Sequence, residues 1–334
     1  MKPFEELTAL GQVRRLNKMA QMAIKQYDLE VRKISSLWQL FNALFRVDTL
    51  DGRKYVLRIN LPNLRSLPEI RSEMTWLAAL HRDSDLLVPE PLQARNGELV
   101  TTIKMQGIPQ SRHCAVFSWL PGKNLAASLS VENVRKQGRF LARLHQESEN
   151  FQPPEGFWLK DLRELVHGDG LDWLSHGTKT SQLISAENRE IFLRTAEPVK
   201  QALSDLYQQP QDLHVMHADF HQGNIKVHKG QLSALDFDDC SWGYFVQDIA
   251  IALYYLRRQA EFSQFRQAFQ QGYEEIKKWP EEYPGQIDTL MNTRAFLVID
   301  FLIHSDNAVI KEIIPRYIAA EIPFLQAFLQ KIKG

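Results

Sequence analysis

The segment His217-Ala218-Asp219-Phe220-His221-Gln222-Gly223-Asn224 holds the densest polar cluster of the chain, and Ala234-Leu235-Asp236-Phe237-Asp238-Asp239 follows shortly after it. Phosphoryl transfer needs a carboxylate to orient the attacking hydroxyl and take its proton, together with oxygen ligands that hold Mg²⁺ against nucleotide phosphates. Mg²⁺ is a hard ion that favours carboxylate and amide oxygens and keeps water and phosphate oxygens for the rest of its octahedron. Asp219, Asn224 and Asp236 supply such a set. The same stretch also reads as His-x-Asp-x-His, and with Asp236 and Asp238 it could hold Zn²⁺ or a metal pair for hydrolysis. A third reading makes these Asp and Asn residues ordinary turn and cap residues.

Positioning such groups requires elements on either side, and the sequence marks them. Ile225–Val227 and Leu232–Leu235 are short β-prone pieces around Lys229-Gly230, so a hairpin joins Asn224 to Asp236. Upstream, residues 4–27 recur near helical spacing through Leu7, Leu10, Val13, Ala20 and Ile24. Phe41–Val47 and Lys54–Ile59 flank the turn signal Asp51-Gly52 and form a second hairpin, with Tyr55, Leu57 and Ile59 on one face. Ile70, Met74, Leu77 and His81 stripe a helix that carries Glu73, and strand candidates follow at Leu99–Ile103 and Cys114–Trp119. Pro121-Gly122 breaks the chain, and Ser130 caps a helix through Phe140, Leu144 and His145. Helical stretches also fit 187–208, 246–276 and 288–332. The reading is α+β: a small antiparallel sheet lobe with helices at 1–120 and a larger, mainly helical lobe at 121–334.

Composition narrows the partners. The 334 residues contain 40 Lys plus Arg and 40 Asp plus Glu, so no net field steers the chain onto nucleic acid. Hydrophobic residues at 44% and charged residues at 24% are ordinary for a folded chain. Cys114 and Cys240 lie far apart and form no CxxC pair, which points to a reducing cytoplasm. The apolar runs Ile249–Leu256 and Ala295–Ile303 are about half the roughly 18 residues a spanning helix needs, and Glu5-Glu6 stand where a signal peptide would be apolar, so neither membrane insertion nor export is expected.

His217-x-Asp219-x-x-x-x-Asn224 and Leu235-Asp236-Phe237-Asp238 resemble the catalytic and metal-binding loops of the aminoglycoside phosphotransferase superfamily, kinase-like enzymes that include choline and homoserine kinases. The resemblance extends to Gln247-Asp248-Ile249-Ala250, to Gly138-Arg139-Phe140-Leu141-Ala142-Arg143-Leu144-His145 and to Val56-Leu57-Arg58-Ile59, covering about residues 38 to 256. It implies a two-lobed protein-kinase-like fold and a kinase that uses ATP and Mg²⁺ to phosphorylate a hydroxyl of a small molecule. A Ser/Thr protein kinase of the same fold is the alternative.

Carried onto this chain, the resemblance makes Asp219 the base, Asn224 and Asp236 the metal ligands and Arg58 the cation on the phosphates, with Glu73 as its partner. Val56 and Phe117 would line the nucleotide site, and the backbones of Ser118 and Leu120 would bond the base. Asp248 would brace the catalytic loop by accepting backbone hydrogen bonds, and His217 would hold that loop. Asp238 could reach a second metal ion, attract a cationic substrate, or sit with Asp239 in a solvated acidic corner. Arg58 and Glu73 could instead be a surface ion pair. Two departures stand out. Arg58 occupies a position often held by Lys, and Ile34–Asp48 contains no glycine, so the tip near Trp38, Gln39, Leu40, Phe41 and Asn42 would cover the phosphates without a glycine-rich loop. The acceptor is expected against segments 150–185 and 283–305. Trp158, Trp173, Trp242 and Tyr244 read as packing residues rather than a cation cage.

Overall fold

The computed structural model describes residues 2–39, 42–162, 184–208, 213–305 and 308–333. The chain divides into two compact units. The first contains Met1–Lys123, Asn150–Leu159 and Lys226–Asp238, and the second Asn124–Glu149, Lys160–Ile225 and Asp239–Gly334.

The first unit is built on an antiparallel sheet of order β1-β2-β3-β5-β4, made of β1 (Val31–Gln39), β2 (Ala43–Thr49), β3 (Lys54–Ile59), β4 (Thr101–Ile103) and β5 (Arg112–Ser118). The alternation in β3 does what its period dictates. Tyr55, Leu57 and Ile59 face one way and join a core with Phe45, Val47, Cys114 and Val116. Helix α1 (Ala9–Ile24) covers that face through Leu16, Met19, Ala20, Ala23 and Ile24, while Leu10, counted in the expected stripe, is exposed. Arg58 therefore points to the opposite face, where α2 (Leu67–Asp83) lies. Helix α2 opens on a capping box, Ser66 and Glu69 each bonding the other's backbone, with Pro68 in its first turn. Its core stripe holds Ile70, Met74 and Leu77, but His81 is exposed. Strand β1 was not foreseen as a strand, and Leu40 and Phe41 of the tip lie outside the described residues.

The second hairpin is present as β8 (Ile225–His228) and β9 (Gln231–Ala234), with β6 (Lys123–Asn124) beside β8. Lys229 and Gly230 both adopt left-handed backbone, as a two-residue hairpin turn requires.

The second unit is helical around the short pair β7 (His214–Met216) and β10 (Ser241–Gly243). Among the described residues its helices are α3 (Val131–Asn150), α4 (Ala186–Leu206), α5 (Phe245–Leu256), α6 (Phe262–Glu274), α7 (Gln286–Ile303) and α8 (Ala308–Lys331). Ser130 caps α3 by accepting the Asn133 amide at 3.2 Å. Each of the two long stretches expected at 246–276 and 288–332 is a pair of helices: α5 ends at Leu256 and α6 opens at Phe262, and α7 ends at Ile303 and α8 opens at Ala308. The break after α5 places Arg257 and Arg258 on the carboxylate of Glu321 in α8, which is fully buried. Among the described residues no helix is long and apolar enough to cross a membrane.

Candidate active site

In the first unit the residues singled out from sequence gather around α2. Arg58 Nη1 donates to Glu73 Oε1 at 2.8 Å, and Nη2 donates to Oε2, giving a bidentate pair. The two side chains are 4% and 3% exposed, so a surface ion pair is excluded. Burial lowers the affinity of Arg58 for its proton, but the carboxylates of Glu73, Asp238 and Asp236 raise it more strongly, so the guanidinium stays charged. Burial likewise raises Glu73, against the pull of Arg58. The guanidinium carbon lies 5.2 Å from the Phe117 ring centre, and Phe117 itself pairs with Val56 across β3 and β5.

One turn further along α2, Trp76 meets Phe237 edge-on with centroids 5.5 Å apart. That contact seats the loop after β9, in which Asp236 takes a left-handed φ of 62°. Aspartate is one of the few residue types with a side chain that adopt this conformation readily. Asp238 is not a solvated corner. Its Oδ2 accepts the Asn42 side-chain amide at 2.8 Å, its carbonyl accepts Arg65 Nε at 2.7 Å, and Asn42 Oδ1 accepts the Leu61 amide at 3.0 Å. Asn42 thus ties the end of the glycine-free tip to the Asp236 loop.

The expectation for Ser118 needs correcting in part. Its amide donates to the Glu90 carbonyl at 2.9 Å, and its hydroxyl accepts the Glu90 amide at 3.0 Å. Of its backbone groups, the carbonyl is the one left for the base.

In the second unit the loop after β7 folds tightly on itself. The His221 amide donates to the Asp219 carbonyl at 2.9 Å and the Asn224 amide to the His221 carbonyl at 2.8 Å. Asn224 Nδ2 donates to the Asp219 carbonyl at 3.1 Å and to Asp219 Oδ2 at 2.8 Å. An amide nitrogen engaged this way turns Asn224 Oδ1, an acceptor only, away from Asp219. Ala218 is left-handed, with φ 60°. Its amide donates to Asp248 Oδ1 at 2.9 Å, and that of His217 to Asp248 Oδ2 at 3.1 Å. Asp248, at the start of α5, thus makes the backbone contacts expected of it. His217 accepts the Asp219 amide at Nδ1, 3.3 Å away, and sits within the loop.

Two partners of this loop were missed from sequence. His145 of α3 lies 3.2 Å by Nε2 from Asp248 Oδ2 and 2.9 Å by Nδ1 from the Tyr273 hydroxyl. Arg294 of α7 donates through Nη2 to Asp219 Oδ1 and through Nε and Nη2 to the Tyr255 hydroxyl at 3.1 and 2.9 Å. Burial raises the Asp219 carboxyl, but Arg294, His221 and His217 outweigh that and hold it down at about 2. The signal for Arg294 was a lone cation inside Met291-Asn292-Thr293-Arg294-Ala295-Phe296-Leu297, since a cation on a helix face facing a core must find a counter-charge.

The remaining aromatic residues divide. Tyr244 packs edge-on against Tyr207 at 5.0 Å, Trp158 is 47% exposed, and Trp173 lies outside the described residues.

A family model described as the phosphotransferase enzyme family matches residues 35–284. The chain belongs to that family. It is a kinase, and the expected protein-kinase-like α+β fold is correct. A stress response kinase A from Salmonella paratyphi A is 25% identical over 268 residues, 78% of this chain and 74% of that protein. Among solved structures, a microcompartment-associated aminopropanol kinase superposes with TM-score 0.80 at 23% identity, covering 94% of this chain and 98% of that one. An amicoumacin kinase in complex with AMP-PNP, Ca²⁺ and Ami superposes with TM-score 0.74 at 22% identity, covering 92% of each chain. Family membership sets aside the hydrolase reading of His217, Asp219 and His221. The two His rings bond the loop itself: His217 Nδ1 accepts the Asp219 amide and His221 Nδ1 accepts the Gly223 amide at 2.9 Å.

Proposed function

We propose that this chain transfers the γ-phosphoryl group of ATP to a hydroxyl of a small molecule, with Mg²⁺ bound. The observation that carries the reading is the bonding of Asn224 to Asp219, which fixes a carboxylate where a hydroxyl can be oriented and leaves an amide oxygen facing elsewhere. Asp219 orients the acceptor hydroxyl and receives its proton. The donor chemistry suits a hard divalent ion: Asn224 offers an amide oxygen and Asp236 a carboxylate, and Mg²⁺ would offset negative charge on the phosphates. Arg58, held by Glu73, is assigned to the nucleotide phosphates, Val56 and Phe117 to the walls of the base site, and the Ser118 carbonyl with the Leu120 backbone to the base. Asp238 is assigned to support of the Asp236 loop rather than to a second metal. His217 and Asp248 hold the catalytic loop.

A small acceptor is favoured because relatives carry names such as amicoumacin kinase and aminopropanol kinase, and the cytoplasm is the setting proposed for the reaction. The test is thermal unfolding with ADP, with and without Mg²⁺. A ligand that binds only the native state raises Tm, by a free-energy equivalent of about 2.7 kcal/mol at 100 times Kd. Wild type should respond to MgADP and Asp236→Ala should lose the Mg²⁺-dependent part. Asp219→Ala should keep the nucleotide response and transfer no phosphate to a panel of hydroxylated metabolites. Transfer confined to a serine peptide would move the acceptor to protein, and no response to millimolar MgADP would end the reading.

A further inference from the structure

Arg294 stands in α7 with its side chain 13% exposed, beside Asp219 at 16%. Removing a guanidinium from water is costly unless its hydrogens find acceptors. Nε and Nη2 do so on the Tyr255 hydroxyl and Asp219 Oδ1, and the guanidinium carbon lies 5.4 Å from the Tyr255 ring centre. These contacts fix the plane of the group. Nη1 makes no hydrogen bond to the described residues, so two hydrogens of a fixed, charged fork stay unassigned beside the carboxylate. The neighbouring ring of His221 lies tilted against Tyr255 with centroids 4.3 Å apart and accepts the Gly223 amide at Nδ1, while the guanidinium of Arg294 is bonded directly to Asp219.

Resting on the function proposed above, we propose that Arg294 is a catalytic residue whose guanidinium stabilises the phosphoryl group as it passes to the acceptor. A hydroxyl bonded to Asp219 lies about 2.7 Å from the carboxylate. Phosphorus becomes bonded to that same hydroxyl oxygen, so its other oxygens arrive within a few ångströms of the carboxylate and of the guanidinium attached to it. In the reaction the bond from the acceptor oxygen to γ-phosphorus forms and the bond from γ-phosphorus to the bridging oxygen of ADP breaks. The hydroxyl proton goes to Asp219, and Arg294 keeps its own protons throughout. Charge in transit is spread over three equatorial oxygens, and a cation already held in place beside them acts without reorganising.

The experiment compares thermal unfolding of the full chain in MgADP with that in MgADP plus aluminium fluoride, which mimics a phosphoryl group in transit. Wild type should gain a second rise in Tm on adding fluoride. Arg294→Gln should keep the MgADP rise and lose the second one, and Arg294→Lys, which keeps the charge without the fork, should keep part of it. If the Gln variant does not fold, the Lys variant carries the test through a reduced second rise. In turnover, kcat of Arg294→Gln should fall about 10²- to 10³-fold with nucleotide KM unchanged. A second rise that is undiminished in the variants, or missing from wild type, overturns the role of Arg294. A wild type with no MgADP rise at all overturns the proposed function, and this inference with it.

Discussion

The carboxylate of Asp248 accepts the backbone amide of Ala218 at 2.9 Å, joining the start of one helix to a residue with left-handed backbone. For a residue with a Cβ that conformation costs about 1–2 kcal/mol, and Asp248 opposes the cost with charge-assisted hydrogen bonds to Ala218 and His217. Asp248→Asn places an amide NH₂ against groups that are all donors, His145 Nε2 among them. We expect a loss of about 3 kcal/mol or more in urea unfolding and a fall in kcat larger than any change in nucleotide affinity. Unchanged stability would show that the loop does not depend on this carboxylate.

The buried pair of Arg58 and Glu73 separates stability from function. Glu73→Ala leaves a guanidinium buried without its partner and should cost about 3–5 kcal/mol. The double variant Arg58→Met with Glu73→Leu removes both charges and should recover most of that stability in urea melts. It should not recover the MgADP-induced rise in Tm. A double variant that still binds nucleotide as wild type does would remove Arg58 from the phosphates.

His145 makes stability depend on pH. Burial pushes its pKa down, only partly offset by Asp248, so the folded chain binds this proton less readily than the unfolded one. Its contribution is therefore complete above the unfolded value of about 6.5 and shrinks as pH falls below it, by up to about 1.4 kcal/mol per pH unit. Urea midpoints at pH 7.5 and 5.5 should differ more in wild type than in His145→Gln. Equal differences would mean that His145 does not titrate the fold.

Helices α3 and α6 meet through two glycines. A Cβ on Gly138 would stand 1.9 Å from the Phe269 carbonyl oxygen, and one on Gly272 would stand 1.8 Å from that of Arg135. Either Gly→Ala change favours an isolated helix by about 1 kcal/mol, yet the backbones must part to admit the methyl. Each should destabilise by about 1–3 kcal/mol. A stabilised Gly138→Ala would show that the contact is slack.

The local part of the site was legible because its residues are neighbours in the chain. His217 to Asn224 close on one another within a single loop, and the turn at Lys229-Gly230 is written in its residue types. Period-two alternation in β3 likewise put Leu57 in the core and Arg58 on the other face. Helix ends were less legible, since neither 257–261, after α5, nor His304-Ser305, after α7, carries a glycine to mark them. Tyr255, at the end of α5, gave no signal that its hydroxyl would anchor Arg294.

Order along the chain was enough for the family, the α+β class and the identity of the phosphotransfer residues as expectations, because loops and hairpins bond within a few positions of themselves. What surrounds each charge was decided only by tertiary structure. Asp219 meets Arg294 seventy-five positions away, and Asn42 meets Asp238 at a separation of 196. Such pairs form because burial in a folded core leaves a charged or polar group no water to turn to, and which partner reaches it depends on how helices pack, which no local spacing records.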